Sequence, residues 1–328
     1  MVLGGGALQA VRPPRLITRA GIVKILLASQ ISPRARATLA SRHELVDAVG
    51  RPEGELEKLI VGCDALVFRS GVQITGPVME RSAELRLVVR AGSGIDNIDL
   101  GYVEARGLRL VRVPGPGAQA VAEMTFALIL GLARQMMIAD RALREGHWIK
   151  NQVRGRLLQG KTLGVYGAGN IGLKVAQMGA AWGMRVLACV ANPTPERARA
   201  FAELGLELEA GDALLSESDF LSIHVPLTEA TTRLIGRSEL TKMKPDAFLV
   251  TLARGGVVDE DALFEALEGG KLAGAGLDVH EREGEGAVSR LAPLPNVILT
   301  PHIGATTSDT QDIIGEKIVE IIDGFGSE

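Results

Sequence analysis

The chain has 328 residues, 46% hydrophobic and 23% charged, with a formal net charge of −3 at pH 7. That length suits about two domains of ~100–200 residues each, and the small charge gives no electrostatic case for nucleic acid or an anionic membrane as partner. The two cysteines, Cys63 and Cys189, have neither metal-ligand spacing nor a disulfide framework, which points to no metal and to a reduced, cytoplasmic compartment.

Residues 1–20 lack the cationic start and apolar core of a secretory signal, and their Gly and Pro content reads as a disordered tail. From Gly21 onward, short apolar runs alternate with amphipathic segments. Strands are expected at 22–28, 64–69 and 85–90, with a weaker one at 109–113. Helices are expected at 53–60 and 76–83. This alternation argues for βαβ units and a parallel sheet. One long helix is expected over about 119–145. Its most apolar part is broken by Glu123 and Arg134 and falls short of the ~20 uncharged residues of a membrane span. A second series of six strands follows at 161–167, 184–190, 219–225, 246–253, 273–280 and 296–302. Six suffice for a complete doubly wound nucleotide-binding sheet. Between them, Pro195 is placed to begin a helix, and "DEDALFEALEGG" opens with acids and closes on glycine, as helix ends prefer. A last helix is expected over 307–323.

"VYGAGNIG" (165–172) joins the first strand of that second series to a helix expected over 171–182. It fits G-x-G-x-x-G at Gly167, Gly169 and Gly172. The first glycine permits a tight turn, the second admits a pyrophosphate, and the third lets helix and strand pack closely. The free N–H groups at the helix start face the anion. The pattern also calls for an acid ~20 residues on, to hold the ribose 2′-hydroxyl. Val190 stands there instead, with Asn192 shortly after it and Arg197 on the next helix. An acid would repel a 2′-phosphate and Val190 does not, so both NAD and NADP are expected as cofactors.

Three charged or titratable residues follow strands of the second series: Arg254, Glu283 and His302. In an open parallel sheet, ligands bind beyond the carboxyl ends of the strands. Hydride transfer needs the protein to move a proton and fix the substrate. His302 can carry the proton, Glu283 can orient and charge-stabilise the imidazole, and Arg254 can hold a substrate carboxylate.

At these residues the chain resembles the D-isomer-specific 2-hydroxyacid dehydrogenase family. The resemblance runs from about residue 22 to 323, through "RAGSGIDNIDL" (90–100), "VAEMTFALILGLAR" (121–134), "GKTLGVYGAGNIG", "HVPLTEATTRLIG" (224–236), "LARGGVVDEDAL" (252–263), "GAGLDVHERE" and "PHIGATT". It is strongest with the phosphoglycerate dehydrogenase branch that lacks a regulatory C-terminal domain. The resemblance implies two Rossmann-like, doubly wound α/β domains with the active site in the cleft between them. One is a discontinuous substrate-binding domain of residues 21–112 plus 303–328. The other is a dinucleotide-binding domain of residues 113–302, through which members usually form homodimers.

The resemblance further implies that Arg254, Glu283 and His302 are catalytic. It assigns the substrate to Arg69, Ser70, Gly71, Val72, Ser93, Gly94 and Arg254. It assigns the cofactor to Ser93, Asn170, Ile171, Val225, Leu252, Ala253, Asp278, His302 and Gly304 besides the three glycines and Val190. Asp278 would meet the nicotinamide amide, and His224 would sit beside the cofactor without doing chemistry. Arg69, Arg90 and Arg134 match positions at or near the cleft, where arginine suits a phosphate. Three departures stand out: Gly284 in place of a proline after the catalytic glutamate, Thr251 in place of an asparagine, and Gly117 in place of an asparagine near the hinge. The implied reaction interconverts a D-2-hydroxy acid and a 2-oxo acid, with 3-phosphoglycerate as one candidate substrate. A hydroxypyruvate or glyoxylate reductase is the alternative within the class, and a corepressor-like dinucleotide sensor is the alternative outside it.

Overall fold

The protein is described here by a computed structural model, which covers residues 21–92 and 94–327. The expected N-terminal tail and Ser93 lie outside the described residues. Among the described residues, twelve strands form two wholly parallel sheets. The first sheet holds β1 (Lys24–Leu27), β2 (Glu44–Asp47), β3 (Ala65–Phe68), β4 (Leu87–Arg90) and β5 (Arg109–Arg112), in the order β2-β1-β3-β4-β5. The second holds β6 (Thr162–Tyr166), β7 (Arg185–Cys189), β8 (Glu207–Leu208), β9 (Phe220–Ile223), β10 (Phe248–Thr251), β11 (Gly274–Leu277) and β12 (Val297–Leu299). Its order is β12-β11-β10-β9-β6-β7-β8, which reverses direction between β6 and β9. The central strands β3, β4, β9, β10 and β11 are buried along their whole length. That is why they read as continuous apolar runs rather than alternating ones.

Two strands escape the sequence reading. β2 and β8 are edge strands with an exposed glutamate at the start of each. Paired on one side only, they need little hydrophobic run. The second sheet therefore has seven strands, not six. The single helix expected over 119–145 is also corrected. It is two helices, Pro116–Ala133 and Met136–Arg144, separated by Gln135 in the left-handed region at φ 52°. No Gly or Pro marks that break, so the pattern runs through it.

Pro116–Ala133 is apolar enough to cross a membrane by length and composition, yet it is largely buried inside the protein. It packs against the helix Asn170–Ala181 and against β10 and β11. The last helix, Ser308–Gly326, returns to the first sheet. It packs on the helix Pro33–Arg42, and its Ile314, Ile318 and Ile322 join the core under β1, β3 and β4. The carboxyl ends of both sheets supply residues to one cleft of about 230 Å3.

Candidate active site

The glycine turn has the geometry its sequence predicts. Gly167 adopts φ 98° and lies so close to His224 and Val225 that a Cβ would meet them at 2.7–2.8 Å. A Cβ on Gly172 would fall 2.2 Å from the Gly167 carbonyl oxygen, so this glycine is what lets the helix Asn170–Ala181 approach β6. Around Gly169 nothing lies within 4 Å of where a Cβ would be, which leaves the space a pyrophosphate needs beside free helix N–H groups. These three observations fit a dinucleotide. At the end of β7, Val190 is half-buried against the core, and Arg197 donates from Nη1 to the Asn192 carbonyl at 3.3 Å. The arginine thus folds back over the loop that follows Val190.

From the first sheet, Arg69, Ser70, Arg90 and Gly94 line the cleft. From the second come Gly169, Asn170, Ile171, Leu252, Arg254, Asp278, His302 and Gly304. Gly71 lines an adjoining cavity of about 700 Å3, which also borders Ser70, Glu283 and His302. Val72 packs on the core of the first sheet, and its carbonyl and that of Arg69 accept from Asn97 Nδ2 at 2.7 and 2.8 Å. Ala253 is buried in the core of the second sheet, and Val225 packs half-buried against that core. Arg134 does not reach the cleft. Its side chain lies against Gly155, where a Cβ would sit 2.8 Å from Nε.

His302 Nδ1 and Glu283 Oε2 form a hydrogen bond at 2.8 Å. Glu283 Oε1 also accepts the His280 N–H at 3.1 Å. Burial alone would raise the Glu283 carboxyl, but the His302 hydrogen bond and charge outweigh it and hold the group below the usual carboxylate range. Gly284 then turns the chain at φ 126°, a conformation closed to the proline the family carries there. His302 itself sits at φ 54°, one of three described non-glycine residues in the left-handed region. Asp278 fixes that conformation. Its carboxylate, 1% exposed, accepts from Thr300 Oγ1 at 2.5 Å and from the N–H groups of Ile303 and Gly304 at 2.9 and 2.7 Å.

Three arginines converge at the other end of the cleft. Arg90 is 4% exposed, and its Nε has no hydrogen-bond partner among the described residues. Burial, reinforced by the charges of Arg254 and Arg69, pushes it down to about 10, so it remains a cation at neutral pH. Arg69 is lowered by burial as well. The counter-charge comes from Asp96, whose two oxygens both accept from Arg254 Nε at 3.1 Å. Asp96 and Asn97 were not singled out from the sequence, although both lie in the glycine-rich "RAGSGIDNIDL". Polar residues in a glycine loop after a strand were the available signal. His224 Nε2 meets Ser222 Oγ at 2.7 Å, and burial pushes the imidazole down to about 4, so it is neutral beside the glycine turn.

A family model described as "D-isomer specific 2-hydroxyacid dehydrogenase, NAD binding domain" matches residues 126–304. The chain is 40% identical over 295 residues to a hydroxypyruvate reductase of Thermotoga maritima, covering 89% of this chain and 94% of the relative. It is 39% identical over 298 residues to a D-3-phosphoglycerate dehydrogenase of Mycobacterium tuberculosis, covering 91% of this chain but 56% of the relative. It therefore spans about half the length of that second relative. Among solved structures it is similar to a D-lactate dehydrogenase from Aquifex aeolicus complexed with NAD and lactic acid. The TM-score is 0.79, the identity 31%, and the match covers 92% of this chain and 95% of the other.

Proposed function

Because the chain belongs to the D-isomer specific 2-hydroxyacid dehydrogenase family, we propose that it interconverts a D-2-hydroxy acid and a 2-oxo acid that carries a second anionic group, such as a 3-phospho acid. A nicotinamide dinucleotide, when bound, supplies or accepts the hydride. In the reducing direction, His302 gives its proton to the carbonyl oxygen as the hydride reaches the carbonyl carbon. Nδ1 is engaged by Glu283, which leaves Nε2 for the substrate and keeps the imidazolium charge stabilised. Arg254 holds the carboxylate of the substrate. The proposed division is a substrate domain of residues 21–112 plus 303–328 and a dinucleotide domain of residues 113–302.

The observation that carries the choice of substrate is Arg90, a buried cation with an unsatisfied Nε, next to Arg69 and opening onto the same cleft as His302. A buried N–H without an acceptor is costly, and a phosphate oxygen would satisfy it. The expected result is a higher kcat/KM for 3-phosphoglycerate than for glycerate. Arg90→Leu should then cost the phosphorylated acid at least about tenfold, one charge-assisted hydrogen bond being worth ~1.5–3 kcal/mol, and should leave glycerate nearly unchanged. A preference for the unphosphorylated acid favours the hydroxypyruvate or glyoxylate reductase reading, which the Thermotoga relative's name suggests.

For the cofactor, Val190 with Arg197 over the same loop supports use of NADP as well as NAD. Val190→Asp should shift the ratio of the two affinities toward NAD by roughly tenfold or more, through the gained bond to the 2′-hydroxyl. Fluorescence titration of both cofactors against both proteins checks this. A parent protein that already rejects NADP as sharply as the variant refutes it.

Met136, Met137, Leu143, Trp148 and Leu157 are exposed along the helix Met136–Arg144 and the segment after it. We assign this apolar face to a second copy of the chain, as family members pair through their dinucleotide domains. Both cysteines are free, as suits the reducing cytoplasm proposed for it.

A further inference from the structure

Arg254 comes from the second sheet, whereas the carboxylate it meets, Asp96, comes from the loop after β4 of the first. The two oxygens of Asp96 share the Nε–H, each at 3.1 Å. On the far side, Nη1 donates to the Ala253 carbonyl at 2.7 Å. Nη2 is directed at the backbone of Gly94, so closely that a Cβ there would lie 1.8 Å from it. A guanidinium offers a carboxylate two forks, a side fork through Nε and Nη2 and an end fork through Nη1 and Nη2. Asp96 takes the Nε–H, without which the side fork cannot grip a second carboxylate at two points. What remains for an incoming carboxylate is the end fork, facing the Gly94 backbone. A side chain at position 94 would fill the same place, so this position has to be glycine.

We infer that Asp96 is a positioning residue that fixes which edge of Arg254 the substrate carboxylate meets. With Nε tied, the guanidinium cannot rotate to bind the substrate side-on, and its plane is set against the glycine loop. Asp96 also offsets one of the three positive charges that meet at this end of the cleft, those of Arg69, Arg90 and Arg254. A second anion of the substrate is thereby directed to Arg90 and Arg69, and the carboxylate to Arg254. This inference rests on the reading of Arg254 as the partner of the substrate carboxylate. It adds to that reading a residue that touches no substrate and acts wholly through another.

The test is a double-mutant cycle on the full chain, using Asp96→Asn, Arg254→Lys and the pair, with hydroxypyruvate and 3-phosphoglycerate as substrates. Asp96→Asn should raise KM at least tenfold, change kcat less than threefold, and leave the NADH dissociation constant within twofold. In the Arg254→Lys background the same change should cost no more than about twofold, because the group it positions has gone. Costs that simply multiply, or a KM that falls because Asp96 was competing with the substrate, overturn the inference. If Asp96→Asn loses NADH binding through misfolding, Asp96→Glu takes its place. It keeps a carboxylate and should stay within about fivefold of the parent's KM, and a loss of tenfold or more overturns the inference. A parent that turns over neither substrate, or an Arg254→Lys variant as active as the parent, overturns the reading of the site as a whole. That outcome is distinct from failure of Asp96 alone.

Discussion

Replacing His302 with alanine should lower kcat by about 10²–10⁴-fold, the usual worth of a positioned general acid, while NADH still binds. The pyrophosphate grip proposed at Gly167, Gly169 and Gly172 is backbone at the start of a helix of the second sheet and does not use the imidazole. Stopped-flow reduction of a 2-oxo acid and a separate NADH titration read the two effects apart. Full activity in the variant would mean that another group carries the proton. A parent with no turnover on any 2-oxo acid that nevertheless binds NADH would favour the dinucleotide-sensor reading. Glu283→Gln should leave a weaker enzyme whose pH optimum for reduction lies lower, since the imidazolium loses its stabilising charge.

The sign for the native pair follows from the lowered Glu283 carboxyl. A carboxyl depressed in the folded state contributes stability that is present above its unfolded value and is lost as the pH falls through the folded one. The His302–Glu283 pair should therefore persist to pH values below the usual carboxylate range. A pH titration of thermal stability, parent against Glu283→Gln, should show the two curves converging as the pH falls into that range.

Asp278→Ala should be the most damaging change among residues that carry no proton in the reaction. It strips acceptors from the half-buried Thr300 hydroxyl and two backbone N–H groups at once. Each buried group left unpaired costs about 1–3 kcal/mol. The turn it releases holds His302 at a positive φ, a conformation that costs on the order of 1–3 kcal/mol and persists only where its surroundings enforce it. Once freed, His302 should drift from the position it needs, and a misplacement of ~1 Å can cost on the order of 10²-fold in rate. The variant should thus melt at a lower temperature and lose about two orders of magnitude in kcat. Asp278→Asn, which keeps one acceptor oxygen, should recover part of both. A variant with native kcat would show that the turn holds itself.

Asp278 also shows how far sequence reading reaches. The resemblance points it at a nicotinamide amide, and the structure adds a second task the sequence did not suggest, since both of its oxygens also accept from the turn that carries His302. The glycine turn, by contrast, was fully legible. Its three roles depend on a missing Cβ, and glycine is the one residue that lacks it. The continuous apolar runs of the central strands were legible for a similar reason, since burial on both faces leaves no room for polar residues. Edge strands β2 and β8 were not, because pairing on one side sets them without any hydrophobic demand on the sequence. The break at Gln135 was hidden because a single left-handed residue needs neither Gly nor Pro.

The sequence by itself determined the parallel α/β class and the glycine turn, and it singled out Arg254, Glu283 and His302 as the proposed chemical set. Each of these follows from local periodicity or from a residue type that its task requires. Only the tertiary structure decided which groups meet. Asp96 reaches Arg254 across 158 residues, Arg90 and Arg69 join them while Arg134 stays away, and Asp278 serves the His302 turn. Such pairings depend on how two sheets face each other. That arrangement is set by packing between distant segments and leaves no period or spacing in the chain to read.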